Sequence, residues 1–171
     1  MDSAALRAMQ APLKGRYRGD PKAAVITLKA KGTLDDAHIA CKVETGRALA
    51  VAGLHPATGG SGLELCSGDM LLEALVACAG VTLKAVATAL DIPLRSAEVS
   101  AEGDIDFRGT LGIDKTAPVA FAEIRLRFDV TSEAPQERLD QLLKLTERYC
   151  VVYQTLRNGP PIEVKLERRA G

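Results

Sequence analysis

Tryptophan is absent from the chain, and the aromatic set stops at three Phe and three Tyr. A platform that binds nucleic acid by stacking bases on rings is therefore not expected. Neither sign of charge is in excess. Twenty-two Lys and Arg stand against 22 Asp and Glu, a formal net charge of +0 over 171 residues. Without a basic surplus, neither nucleic acid nor an anionic membrane surface is an expected partner. The opening stretch, MDSAALRAMQAPLKGRYRG, has no continuous apolar run, so a secretory signal is not expected and a cytosolic location is. Histidine occurs twice and cysteine four times, at Cys41, Cys66, Cys78 and Cys150, with no C-x-x-C spacing. That set does not read as a zinc site, and in a reducing compartment the four thiols are expected to rest free. The glycines of ATGGSG come without G-K-S/T or G-x-G-x-x-G, so no nucleotide site and no cofactor are expected.

What is present is organised around residues 67–90, SGDMLLEALVACAGVTLKAVATAL. The stretch holds no proline, and Gly80 is the one glycine within its body. Ser67 suits an N-cap and Asp69 the positive end of a helix dipole. Met70, Leu71, Leu72, Leu75, Val76, Val81, Leu83 and Val86 cover nearly every side, the pattern of a helix buried in a core. Asp69, Glu73 and Lys84 argue against a membrane span. Cys78 sits near the middle, between the small residues Ala74, Ala77, Ala79 and Gly80, which let another backbone approach closely.

Before this helix, residues 1–10 read as a short amphipathic arm or an unstructured lead. Ile26, Leu28 and Ala30 alternate with polar neighbours over 24–30, a half-buried strand. Ile39, Cys41 and Val43 form a second, with His38, Lys42 and Glu44 outward, and 47–51 a short third. GLHPATGGSG is a loop by composition. After the helix, Ala97, Val99, Ala101, Gly103, Ile105 and Phe107 alternate, as do Ala122, Ile124, Leu126, Phe128 and Val130, predicting an antiparallel pair joined by a turn-rich link. Ser132 suits a cap for a second helix, with Pro135 in its first turn. Leu139, Leu142, Leu143 and Cys150 share a face there, and 151–156 continue as a helical turn. Ile162, Val164 and Leu166 make a last strand. The expected order is β-β-β-α-β-β-α-β, an α+β fold of antiparallel sheet and packed helices, with an N-terminal arm at 1–23 and one domain over 24–171.

Both Cys78 and Cys150 fall on core-facing helix sides, roughly seventy residues apart. Two readings stand open: small buried hydrophobes, or a thiol pair in which one sulfur attacks an O–O bond and the other resolves the resulting sulfenic acid. The second requires a lowered pKa. Since Cys78 lies far along its own helix, the expected source is an arginine. Cys66, just before the helix, is either a third reactive thiol or an inert loop cysteine, and Cys41 is expected in the core. His55 is either a pocket-mouth residue or a structural one. Glu64, Asp69 and Glu73 serve equally as acid–base groups or as ordinary dipole and surface charges.

Together, LLEALVACAGVTLKAVA and ERYCVVYQTL resemble the OsmC/Ohr family, the osmotically inducible and organic hydroperoxide resistance proteins, over about residues 24–166. The resemblance implies an intertwined homodimer with sites at the subunit interface. It also implies that Cys78 is peroxidatic and Cys150 resolving, and that organic or hydrogen peroxide and a cellular dithiol are the partners. Three positions depart from the peroxidase pattern. Gly68 stands where those members carry a glutamate, Val151 where proline is common, and the hairpin KAKGTLDD has no arginine, leaving Arg16, Arg18 or Arg47 as substitutes. Beside the peroxidase stand a non-peroxidase relative binding a small apolar ligand at the dimer interface, and a structural dimer module with inert cysteines.

Overall fold

The structure, a computed structural model, describes residues 2–25, 27, 31–34, 40–44 and 49–168, with backbone alone at 21, 31–34, 40–44 and 49. Three parts position the site: a four-stranded sheet, a long helix, and a two-stranded hairpin followed by a helix pair. In the sheet, β1 (Lys31–Leu34), β2 (Ala40–Glu44) and β3 (Leu49–Gly53) run antiparallel in sequence order. The two-residue β4 (Leu65–Cys66) joins β3 in parallel, so the sheet is mixed rather than purely antiparallel. Its register, Gly53 opposite Cys66, leads the chain directly into the long helix.

That helix, α2, spans Ser67–Ala89. Cys66 is its N-cap residue, without a side-chain cap bond, and Ser67 is already helical, one residue on from the expected cap. Leu75, Ala79, Leu83, Val86 and Ala87 are its buried residues, at the spacing of a single helical face. Apolar cover all round had implied burial on every side; instead Val81 is 73% exposed. The reason is supply: one protomer packs β4, β5 (Ser96–Ile105) and three other helices against α2, and these cover one side. By length and composition α2 could cross a membrane; the elements packed on it make it the core helix of the domain.

The hairpin of β5 and β6 (Phe121–Thr131) forms as the alternation predicted, with Val99 opposite Phe128 and Ala97 opposite Val130. An irregularity at Asp104/Ile105 shifts the register by one, so Phe121 rather than Ala122 turns inward. Its ring lies where a Cβ on Gly103 would stand, 2.5 Å away, so this strand position admits only glycine. Between the strands Asp106 caps a single turn, α3 (Phe107–Thr110), by accepting from the Arg108 N–H. On the outer face Arg125 is paired with Asp104, Glu102 and Glu123. Exposed pairs of this kind contribute little, about 0–1 kcal/mol. On the inner face Val99, Phe128 and Val130 pack on a buried cluster of Leu83, Val86, Ala87, Ile92 and Leu142. Gly80 faces Val99 at 3.8 Å from an added Cβ, so the small residues of α2 do admit a close strand.

Helix α4 (Gln136–Tyr149) follows, then α5 (Val151–Asn158). Ser132 does not cap α4: its hydroxyl accepts from Ala134 N–H and donates to the Pro93 carbonyl, while Pro135 holds the cap position. At the other end of the chain, α1 (Ser3–Gly19) replaces the expected arm. Asp2 caps it through Ala5 N–H at 2.7 Å, Leu6 is buried, and Arg7 pairs with Asp91 just beyond α2. Pro12 lies inside this helix, where propensity disfavours it and the docked structure tolerates it.

One expected strand does not form, and another falls largely outside the described residues. Pro21–Ala24 is a short 3-10 turn, Val25 and Thr27 carry no strand, and the remainder of 24–30 lies outside the described residues, as do His38, Ile39 and Arg47. Of the third strand expected over 47–51, residues 49–51 lie in β3 and 47–48 lie outside the described residues, as does the side chain of Cys41. The segment 162–166 is no strand either: Ile162, Val164 and Leu166 are 84, 86 and 99% exposed. Alternation marks a strand only where a ladder partner exists, and none reaches this segment among the described residues.

Candidate active site, a thiol pair at a helix junction

Cys150 is the hinge between two helices. Its N–H donates to Thr146 O at 2.9 Å, closing α4, and its carbonyl accepts from Gln154 N–H at 2.9 Å, opening α5. The residue itself is extended (φ −73°, ψ 108°) and wholly buried. Thr146, also buried, satisfies its hydroxyl on Leu142 O at 2.8 Å. The first N–H groups of any helix lack intrahelical acceptors, and α5 carries no Ser, Thr, Asp or Asn at its start to cap them.

Cys78, on α2, is coupled to Cys150; the backbone N–H groups of Val152 and Val151 and the Cys150 thiol favour its charged form, and the Thr82 hydroxyl donates to the Cys78 carbonyl at 2.8 Å. Burial pushes the Cys78 pKa up; the hydrogen bonds outweigh it and hold the thiol below its ordinary value. For Cys150 the balance is reversed. Burial raises its pKa, the Tyr153 N–H lowers it, and its bond to the Cys78 sulfur, with that sulfur's charge, raises it further. The pair thus divides in direction, Cys78 held below the ordinary thiol value and Cys150 above it, as coupled groups do.

The structure brings Cys78 and Cys150 together and leaves Cys66 apart. Cys66 precedes Cys78 by twelve residues along an unbroken helix, about 18 Å at 1.5 Å per residue. A disulfide needs Cα atoms within about 7 Å, so within one protomer Cys66 cannot resolve Cys78. Instead it lines a separate cavity of about 320 Å³ with His55, Gly68, Asp69, Phe107 and Phe121. His55 is structural there: Nδ1 accepts from Ala57 N–H at 3.0 Å, and the ring stacks on Phe107 at 5.0 Å. Asp69 occupies the first turn of α2, Glu64 accepts from the Ser61 hydroxyl, and Glu73 borders an open groove with Val76 and Ala101. Arg16 and Arg18 lie in the last turn of α1, and Arg47 is outside the described residues. The donors that sequence reasoning missed are the amides of Val151 and Val152. The helix break at Cys150, with no capping side chain after it, was the available signal.

The elements assembled here define a mixed α+β domain that sets Cys78, half-buried on its central helix, beside the buried Cys150 of the α4–α5 junction. The chain belongs to the family of OsmC-like proteins, whose model matches residues 59–165. Its fold is that of an OsmC-like protein from Mycoplasma pneumoniae (16% identity, TM-score 0.64, covering 78% of this chain and 89% of that one). It is shared by an OsmC-like protein of unknown function from Vibrio cholerae (15%, TM-score 0.62, 77% and 94%). An organic hydroperoxide resistance protein from Elizabethkingia anophelis is similar as well (17%, TM-score 0.61, 79% and 91%). No curated protein matches the chain in sequence.

Proposed function

We propose that the protein is a two-cysteine thiol peroxidase acting on organic or hydrogen peroxides. The Cys78 thiolate attacks one peroxide oxygen, the O–O bond breaks, and the departing alkoxide takes a proton to leave as alcohol or water. Cys78 becomes a sulfenic acid. The Cys150 sulfur then attacks the sulfenic sulfur, a disulfide forms, and the hydroxyl leaves with the thiol proton as water. A cellular dithiol reduces that disulfide and is itself oxidised, which suits a cytosolic setting. The observation that carries the reading is the split of the pair: Cys78 held acidic by amides at the start of α5, Cys150 beside it and protonated. Peptide mapping after one equivalent of tert-butyl hydroperoxide tests it. The expected product is a Cys78–Cys150 disulfide; with Cys150→Ser it is a single turnover ending in a trapped Cys78 sulfenic acid. Cys78 recovered as free thiol in both would sink the proposal.

A homodimer completes the reading. Val81 on α2 and Ile162, Val164 and Leu166 beyond α5 are left largely exposed, apolar side chains that a second copy of the chain would cover. Sedimentation at micromolar concentration is expected to give twice the chain mass of 18.1 kDa; a monomer would count against it. A second reading, a binder of small apolar ligands at the dimer interface, draws on a cavity of about 640 Å³ between β6 and α4. Leu126, Phe128, Leu139 and Leu143 wall it, and Tyr153 stands at its edge.

A further inference from the structure

The two sulfurs of the pair differ in access. Cys150 is wholly buried, and its own chain encloses it. Thr146 and Leu142, about one and two turns back along α4, are buried with it, and α5 begins at the next residue. Cys78 is half-buried and lies on the rim of the buried face of α2. On a helix of about 3.6 residues per turn, Leu75 and Ala79 flank it on one side and are buried; Ala74, Ala77 and Val81 flank it on the other and are exposed. A second copy seated on Val81 narrows the approach along that flank but opens none behind Cys150. Thiol–disulfide exchange is a displacement, in which the attacking sulfur comes from behind the one it strikes, opposite the one that leaves. With Cys150 on the buried side, the line of attack on Cys78 opens toward the exposed flank, whereas attack on Cys150 has to come through packed α4. We propose that the dithiol which regenerates the pair attacks the sulfur of Cys78, so that Cys150 is the first thiol released.

The dithiol's thiolate bonds to the Cys78 sulfur, the Cys78–Cys150 bond breaks, and Cys150 leaves with the electron pair and takes up a proton. The reductant's second thiol, losing its proton, attacks the reductant sulfur held on Cys78, closes a disulfide within the reductant and expels Cys78 as thiolate. The dithiol loses two electrons, the pair gains them, and the proton of the second thiol ends on Cys150. Cys78 is thus returned in the form that begins the next turnover. Leaving-group ability points the other way. The thiol of lower pKa is expelled more readily, and by that measure alone attack would fall on Cys150. Access decides, because a sulfur enclosed by packed chain is reached only by opening α4 from α2.

This inference rests on the disulfide of the proposed reaction, but its test needs no peroxide. Diamide oxidises the wild-type protein to the Cys78–Cys150 disulfide. 2-Mercaptoethanol, a monothiol that cannot close a ring, is added briefly, the mixture is quenched with N-ethylmaleimide in urea, and the peptides are mapped by mass spectrometry. The expected map has mercaptoethanol on Cys78 and maleimide on Cys150, with the reverse pattern at background. When the oxidised protein is unfolded in urea before the thiol is added, neither sulfur is enclosed and the preference for Cys78 should vanish. Mercaptoethanol on Cys150, an equal division in the folded protein, or a preference for Cys78 that survives urea overturns the proposal and leaves the peroxidase reading intact. Failure of diamide to give the disulfide overturns it together with the two-cysteine mechanism. A protein that shows the expected map yet consumes no peroxide loses the peroxidase reading alone.

Discussion

Cys78→Ser is expected to bring peroxide consumption down to the uncatalysed rate, the largest single effect of any substitution in the chain. Serine keeps the size and the hydrogen-bond geometry but loses the nucleophile, because an alcohol does not ionise in this range and sulfur is the better attacking atom. Stopped-flow mixing with an organic hydroperoxide, wild type beside variant, reads the difference. The pH profile gives an internal check on the sign. The reactive form is the thiolate, and the folded-state pKa of Cys78 lies below that of a free thiol. Wild-type attack should therefore persist below the ordinary thiol range and fade only as pH drops through the lowered value. Cys150 moves the other way, so across the same window it stays protonated and does not compete for the peroxide. Equal, near-background rates for wild type and variant would remove the enzyme and leave the apolar-ligand reading in front.

Leu142→Ala is expected to cost about 2–5 kcal/mol of stability, the range for a buried leucine truncated to alanine. Leu142 is 2% exposed and belongs to the cluster with Leu83, Val86, Ala87 and Ile92, where α4 meets α2. It also stands at the wall of the 640 Å³ cavity, so the space vacated adds to a void instead of being refilled. Urea denaturation should show the midpoint falling by about 1–2.5 M, taking a slope of about 2 kcal/mol per M. Protein concentration must be held constant between the two, since a dimer's apparent stability depends on it. The damage should reach chemistry too: α4 carries Cys150 at its C-terminus, and loosening its seat on α2 moves the second sulfur away from the first. A midpoint within a few tenths molar of wild type would show that α4 docks by contacts other than this leucine.

The extent of α2, the hairpin of β5 and β6, and the helix carrying Leu139 and Leu142 were legible in the chain because each is written in a local period. Residues 162–166 alternate as cleanly as β5 does, yet form no strand, since a strand is a relation between two segments and the partner is not in the pattern. Helix α1 forms across Pro12 with Leu6 buried and Arg7 paired with Asp91 just beyond α2, a contact some eighty residues away in sequence. Most consequential is the source of acidity at Cys78. Along its own helix that thiol sits too far from the N-terminus to feel the dipole, and an arginine was the reasonable expectation. The groups that hold its pKa below the ordinary thiol value belong to the start of another helix, α5, which packs on α2. Periodicity and capping are properties of neighbours in the chain; the environment of a thiol is a property of neighbours in space, and only the packed structure decides those.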